Sequence, residues 1–222
     1  MTSDKFVIYG NGSVARLVYN DLTHNSPHDV VAFCVDRDFI EENELFGLPV
    51  VPFDEVVSRF PPDKHKMFVA VGYSNVNKIR EDRYLQSKKA GYEFGKFIAK
   101  TAITYPDLQI GENCVIGSHT VVHPDVKIGN NVLIGAGCLL GHDVELADHC
   151  FVSDHVAISG WVKVQQNCFF GTGAKVRNKV SIGREAIIGA AAVIMEDVEE
   201  RSVYFSEPSI KLGVTSDKLN FT

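Results

Sequence analysis

Two short stretches of this 222-residue chain carry residue types that can do chemistry. One is Gly141-His142-Asp143, with Ser159-Gly160 seventeen residues further on. A neutral imidazole can take up a proton near pH 7, and a neighbouring carboxylate can orient the ring and stabilise the imidazolium. The alternative is a solvated surface pair without a role. The other stretch is Gly10-Asn11-Gly12-Ser13-Val14-Ala15, which follows the β-rich run Lys5 to Tyr9 and opens a helical pattern through Leu22. A strand, a glycine turn and a helix N-terminus present unpaired N–H groups to an anion such as a phosphate. The alternative is glycines that only make a turn.

The elements that would position the glycine stretch alternate between strand and helix. Val30 to Val35 reads as a strand ending at Asp36, whose carboxylate could accept hydrogen bonds from ribose hydroxyls or be a solvated loop residue. Leu48 to Val51 is a short strand, Glu55 to Phe60 a small helix, and Met67 to Val71 an apolar strand closed by Gly72-Tyr73-Ser74. A helix is expected from Asn75 to about Ala90, stopped by Gly91. This alternation predicts a small parallel sheet. Its carboxyl-end loops would form the ligand edge: Gly10, Gly12, Ser13, Asp36, Arg37, Gly72, Tyr73 and Ser74.

His142 and Asp143 belong to a different pattern. From Ile110 to Ile194 every sixth residue is large and apolar, fifteen in succession, and eight of the fifteen are followed by Gly. The position four beyond each holds only Cys, Thr, Val or Ala. This period of six is the hexapeptide signature of a parallel β-helix. At three hexads per turn it predicts five triangular coils. His142 and Asp143 fall outside the inward positions, on the outer surface. The expected organisation is an α/β domain over residues 1–100, a β-helix over 101–200 and a tail over 201–222, with the α/β domain covering the N-terminal end of the stack.

Four of the five cysteines (Cys114, Cys138, Cys150, Cys168) occupy the small inward position and read as buried hydrophobes. No CxxC pair occurs, so a reducing cytoplasm is the expected home. The formal net charge of −6 argues against a nucleic-acid partner. No run of 18 apolar residues predicts a membrane span, and the first ten residues read as a strand rather than a signal peptide.

The hexads, the G-x-G-x-x-A start, Asp36, Val69-Ala70-Val71-Gly72 and Gly141-His142-Asp143 together resemble the bacterial left-handed β-helix sugar acyltransferases with an N-terminal Rossmann-like nucleotide-sugar-binding domain. These include the N-acetyltransferases of the bacillosamine and perosamine pathways and the sialic acid O-acetyltransferases. The resemblance runs from Lys5 to Pro208. It implies a cytoplasmic homotrimer acting in surface-glycan or lipopolysaccharide biosynthesis. The implied reaction moves the acetyl group of acetyl-CoA, without a metal, to the amine of a UDP-, GDP- or dTDP-linked amino sugar. A 4-amino-4,6-dideoxy sugar is favoured, and sugar O-acetylation is the alternative. By resemblance His142 is the general base and Asp143 its partner. Acetyl-CoA would lie between two β-helices, against Gly160, Trp161, Gly171, Thr172, Gly173 and Ala190. Phe151 stands where many members carry a second His, with His155 four residues on as its possible substitute. Two other departures are Asn77 where an Arg is usual, with Arg80 close by, and Ser206-Glu207-Pro208-Ser209 where many members have G-V-P-A.

Three rival readings are weaker. His119 and His155 lie 36 residues apart, two full coils, as in a zinc-dependent γ-type carbonic anhydrase, but the third ligand position is Gly160. A non-catalytic sugar-nucleotide scaffold would not need the His-Asp pair. The α/β part is too short for an NAD-dependent oxidoreductase.

Overall fold

A computed structural model gives the structure of the chain and describes residues 4–218. The first three residues of the expected N-terminal domain and the last four of the expected tail lie outside the described residues.

The N-terminal sheet is built from β1 (Lys5–Tyr9), β2 (Asp29–Val35), β3 (Glu44–Leu45), β4 (Leu48–Pro52) and β5 (Lys66–Val69), in the order β3-β4-β2-β1-β5. All pairings are parallel except the β3/β4 hairpin. Alternation along β1 feeds two cores. Phe6 and Ile8 pack on one side with Ala15, Val18 and Leu22 of α1 (Ser13–Asn25). Val7 and Tyr9 pack on the other with Val56 of α2 (Val56–Arg59) and Tyr84 of α3 (Lys78–Lys89). The helix expected from Asn75 begins at Lys78 instead. Asn75, Val76 and Asn77 all have φ near +50 to +63°, a left-handed run that cannot be helical.

A final short strand, β6 (Lys96–Ile98), joins the β-helix through Cys114–Ile116. The hexads then wind three to a coil, so each strand pairs in parallel with the one 18 residues on. Three faces result. The first runs from Gln109–Ile110 to Ser181–Ile182, the second from β6 to Val203–Tyr204, and the third from Val121–Val122 to Val193–Ile194. The start of the expected tail, Val203–Tyr204, is therefore still a strand of the second face. Anchors and small residues fill one continuous core. The four inward cysteines are buried and form no disulfide, and burial pushes the Cys114 thiol up to about 12 and the Cys138 thiol up to about 11, so these two are inert packing groups.

The outward residues differ by face. The first presents a charged row in which Glu145 lies 3.8 Å from Lys127 and 3.9 Å from Lys163. The second presents Val115, Leu133 and Phe151, which pack against α1 and β6. The third presents exposed Leu139 and Val193. The α/β domain thus lies along the flank of the coils rather than over their end, because the apolar row that needs cover is on the second face.

The corner between the first and second faces locks the two parts together. Its left-handed positions hold Asn113, Asn131, His149, Asn167 and Glu185. Asn113 pairs with both backbone groups of Val69, at 2.8 and 3.1 Å, and donates to Asn131. Asn131 donates to His149 Nδ1 at 2.9 Å, and Asn167 donates to Glu81. In return Asn77 reaches the carbonyls of Asn167 and Cys168, and Arg80 those of His149 and Cys150.

Burial holds the His149 imidazole below its ordinary range. The Glu81 and Asp148 carboxylates oppose this, and Arg80 adds to it. The unfolded chain therefore takes the proton more readily than the folded one. This contribution to stability is intact above about pH 6.5 and is lost as pH falls through and below that value. His149→Asn, which suits the left-handed corner, is expected to flatten the fall in Tm between about pH 7.5 and 5.5. An unchanged slope would place the acid sensitivity elsewhere.

Candidate active site

The strand ends of the α/β domain enclose a cavity of about 890 Å³. β1 has its parallel neighbours β2 and β5 on opposite sides, so their carboxyl-end loops diverge and open a crevice there. Gly10 has φ +126°, and a Cβ there would sit 2.6 Å from the Ala70 carbonyl oxygen, so only glycine lets the two loops touch. Gly12 caps α1 without a side chain, leaving the first-turn N–H groups toward the cavity. Of the eight residues expected at this edge, Gly10, Gly12, Ser13, Asp36, Gly72, Tyr73 and Ser74 line the cavity.

Arg37 does not line it. Its guanidinium bonds Asp54 at 2.8 Å and Glu55 at 2.9 Å on the surface, because the chain turns into a short 3-10 helix after Asp36. The cations in the cavity wall are Lys78 and Arg83, the latter 2.6 Å from Asp36. Tyr9 donates to the other Asp36 oxygen at 2.9 Å, and burial together with this bond pushes the phenol well above its usual range. Arg83, Lys78, Ile79 and Asp82 were missed in the sequence, although their spacing is that of one face of α3.

His142 and Asp143 stand at the corner between the third and first faces. Asp143 has φ +58°, in a column where Asp125, Trp161 and Lys179 are also left-handed. The Asp143 carboxylate lies 2.8 Å from His142 Nδ1, and the two side chains are 44% and 43% exposed. A carboxylate only accepts, so Nδ1 carries the hydrogen and Nε2 of the neutral ring is an acceptor. Trp161, one coil on, meets the imidazole edge-on at 4.2 Å, and the Lys179 ammonium lies 5.3 Å from the Trp161 ring centre. A Cβ on Gly160 would come within 2.8 Å of His142 Nε2, so glycine leaves the room the ring occupies.

A second cleft, of about 660 Å³, lies between α1 and the second face. Phe151, Gly171, Thr172 and Ala190 line it, half of the eight residues expected at the cofactor. Gly160 and Trp161 accompany His142 instead. His155 and Gly173 belong to a third corner, between the second and third faces, where the His155 ring lies over Gly137. His155 is thus not beside Phe151. Phe151 packs with Tyr73 and Phe169, at ring distances of 5.3 and 5.8 Å. Among the described residues, no group of three or more His, Cys, Asp or Glu side chains could hold a metal ion. None of their helices is long and apolar enough to cross a membrane.

Residues 98–204 match the family model for the GMPPB C-terminal domain. A His-to-Asn variant of perosamine N-acetyltransferase from Caulobacter crescentus, solved with CoA and GDP-perosamine, superposes with a TM-score of 0.82. It is 26% identical, over 90% of this chain and 92% of that one. The chain is an acyltransferase. The acetyltransferase domain of PglB from Neisseria gonorrhoeae FA1090 has the same fold as this enzyme, with a TM-score of 0.81 at 23% identity over 90% of this chain and 96% of that one. WeeI from Acinetobacter baumannii AYE also shares it, with a TM-score of 0.73 at 20% identity over 90% and 96%. No curated protein sequence matches the chain. The Caulobacter crescentus structure holds CoA with GDP-perosamine, and the Neisseria gonorrhoeae domain has also been solved with acetyl coenzyme A.

Proposed function

We propose that the enzyme moves the acetyl group of acetyl-CoA to the amine of a nucleotide-linked amino sugar, with a 4-amino-4,6-dideoxy sugar favoured. The observation that carries this reading is the His142–Asp143 couple, 2.8 Å apart on an outer corner of a chain that also holds a nucleotide-sized cavity. The nucleotide lies at the Gly10 to Ser13 turn, its phosphates on the N-terminus of α1 and its ribose near Asp36. His142 Nε2 takes a proton from the sugar amine as the nitrogen attacks the thioester carbon. A C–N bond forms, the tetrahedral intermediate collapses, the C–S bond breaks, and CoA leaves as the thiol with the proton returned from the imidazolium. Asp143 keeps Nδ1–H aimed and offsets the charge that develops on the ring.

Within one chain the His142 corner faces away from the second face and the cleft on it. The uncovered third face, whose outward row holds exposed Leu139 and Val193 together with Lys175, supports a homotrimer of left-handed β-helices, in which the His142 corner of one copy meets the cavities of the next. The cavity of about 890 Å³ at the glycine turn favours an N-acylated nucleotide sugar, a building block for surface glycans, over a free sugar as product. Thiol release from acetyl-CoA with GDP-perosamine and with UDP- and dTDP-linked 3-amino and 4-amino sugars tests the reading. No release with any of them would overturn it.

Gly160→Ala tests the geometry at the base. The added methyl displaces the imidazole while the coil stays intact. Thiol release is expected to fall about 10- to 100-fold, with Tm within about 3 °C of the parent. An unchanged rate would mean that the Gly160 side of the His142 ring is not where the amine approaches.

A further inference from the structure

We propose that Trp161 is a positioning residue for the base, holding the His142 ring in the plane from which Nε2 meets the amine. The inference rests on the acyl-transfer reading and adds to it a second side chain that fixes the imidazole.

The bond to Asp143 through Nδ1 leaves a half-exposed imidazole free to swing about that bond. Two residues of the next coil remove the freedom. Gly160 gives the ring its room on one side, and the Trp161 indole meets it at a ring-centre distance of 4.2 Å with 89° between the planes. The Trp161 N–H bonds the His142 carbonyl at 3.0 Å, which sets the height of the indole against the imidazole. One coil further on, the Lys179 ammonium lies 5.3 Å from the indole centre and steadies it in turn. Packing alone does not account for this tryptophan. The corner needs a left-handed residue in each coil, and Asp125 and Asp143 meet the need with a type that adopts that backbone readily. Trp161 has φ +59°, a conformation that bulky residues rarely take. It also stays 47% exposed, so little of the indole is buried in exchange. What its side chain gains at this position is the contact with His142, with Lys179 behind it. A rigid aromatic ring beside a base preserves the alignment that proton transfer needs.

Trp161 is the only tryptophan of the chain, so its fluorescence tests the contact without any substrate. A charged imidazole quenches an indole it touches more strongly than a neutral one does. Emission of the full chain is therefore expected to fall as pH is lowered from about 8 to about 5, and to stay level in H142A. The charged groups that face the two rings, Asp143 and Lys179, are the same in both proteins, so the difference belongs to His142. Identical titrations would overturn the inference. Trp161→Asn then tests the role, because Asn suits the left-handed corner and removes the indole. With acetyl-CoA and the GDP-, UDP- or dTDP-linked amino sugars, its kcat for thiol release is expected to fall about tenfold with both KM values unchanged. W161F, which keeps a ring against the imidazole, should stay within about threefold of the parent. A parent-like kcat in W161N would overturn the inference. So would a raised KM with kcat unchanged, which would make Trp161 a substrate contact, or a smaller assembly on size exclusion, which would make it an interface residue. No thiol release by the parent would remove the acyl-transfer reading and this inference with it, while the fluorescence titration would still register the contact.

Discussion

His142→Ala is expected to lower thiol release from the acyl-CoA donor by about 10²- to 10⁴-fold, the usual range for loss of a positioned general base. Nucleotide affinity and Tm should stay at their parent values. The reason is local. The corner is held by main-chain bonds, Trp161 N–H to the His142 carbonyl at 3.0 Å and Asp143 N–H to the Pro124 carbonyl at 3.2 Å, which no side chain supplies. Asp143→Asn is the informative companion. Asn tolerates the left-handed backbone at this position, so the corner survives, while the charge that stabilises the imidazolium is gone. Its rate should fall less than that of H142A and more than tenfold. Turnover by H142A within about threefold of the parent would remove His142 from the mechanism.

Arg80→Ala is expected to cost about 3–5 kcal/mol of stability, which for a chain of this size lowers Tm by about 10 °C. Arg80 is fully buried, and burial lowers its guanidinium to about 10, so it still carries its charge at neutral pH. Its Nη2 donates to the His149 carbonyl at 2.8 Å and the Cys150 carbonyl at 3.0 Å, and its guanidinium lies 5.5 Å from the Phe151 ring centre. Alanine leaves a large cavity and the His149 carbonyl without its donor, while the Cys150 carbonyl keeps only the Leu133 N–H at 3.2 Å. It also frees α3, which carries Lys78 and Arg83 to the nucleotide cavity, so nucleotide affinity should fall along with Tm. Arg80→Met restores volume but not the donors and should recover about half of the loss. Differential scanning calorimetry with nucleotide titration separates the two. Parent-like stability in R80A would show that the α/β domain is held to the coils without α3.

Much of the architecture could be read from residue order, because a β-helix is a local code. Each hexad places its anchor and its small residue inward, so Ile110 to Ile194 specified the coils, the four buried cysteines and the outward position of His142. The lining of the cavity at the strand ends was nearly as readable, since Gly10, Asp36 and Gly72 each follow a strand of one sheet. Arg37 was misplaced because a turn after Asp36 sends it to Asp54 and Glu55, a partnership of residues 17 and 18 positions apart that no periodicity encodes.

The sequence alone determined the repeat, the order of the two parts and the pairing of His142 with Asp143, all set by neighbours along the chain or by a strict period. Tertiary structure decided what lies beside what. It placed Arg83 rather than Arg37 in the cavity at the strand ends, sent His155 to a corner away from Phe151, and laid the α/β domain along the second face. The physical reason is that the hexads make three nearly equivalent faces. Which one is covered depends on distant groups that fit only after folding: the apolar row from Val115 to Phe151 against α1, and the Asn113-to-Glu185 column against α3.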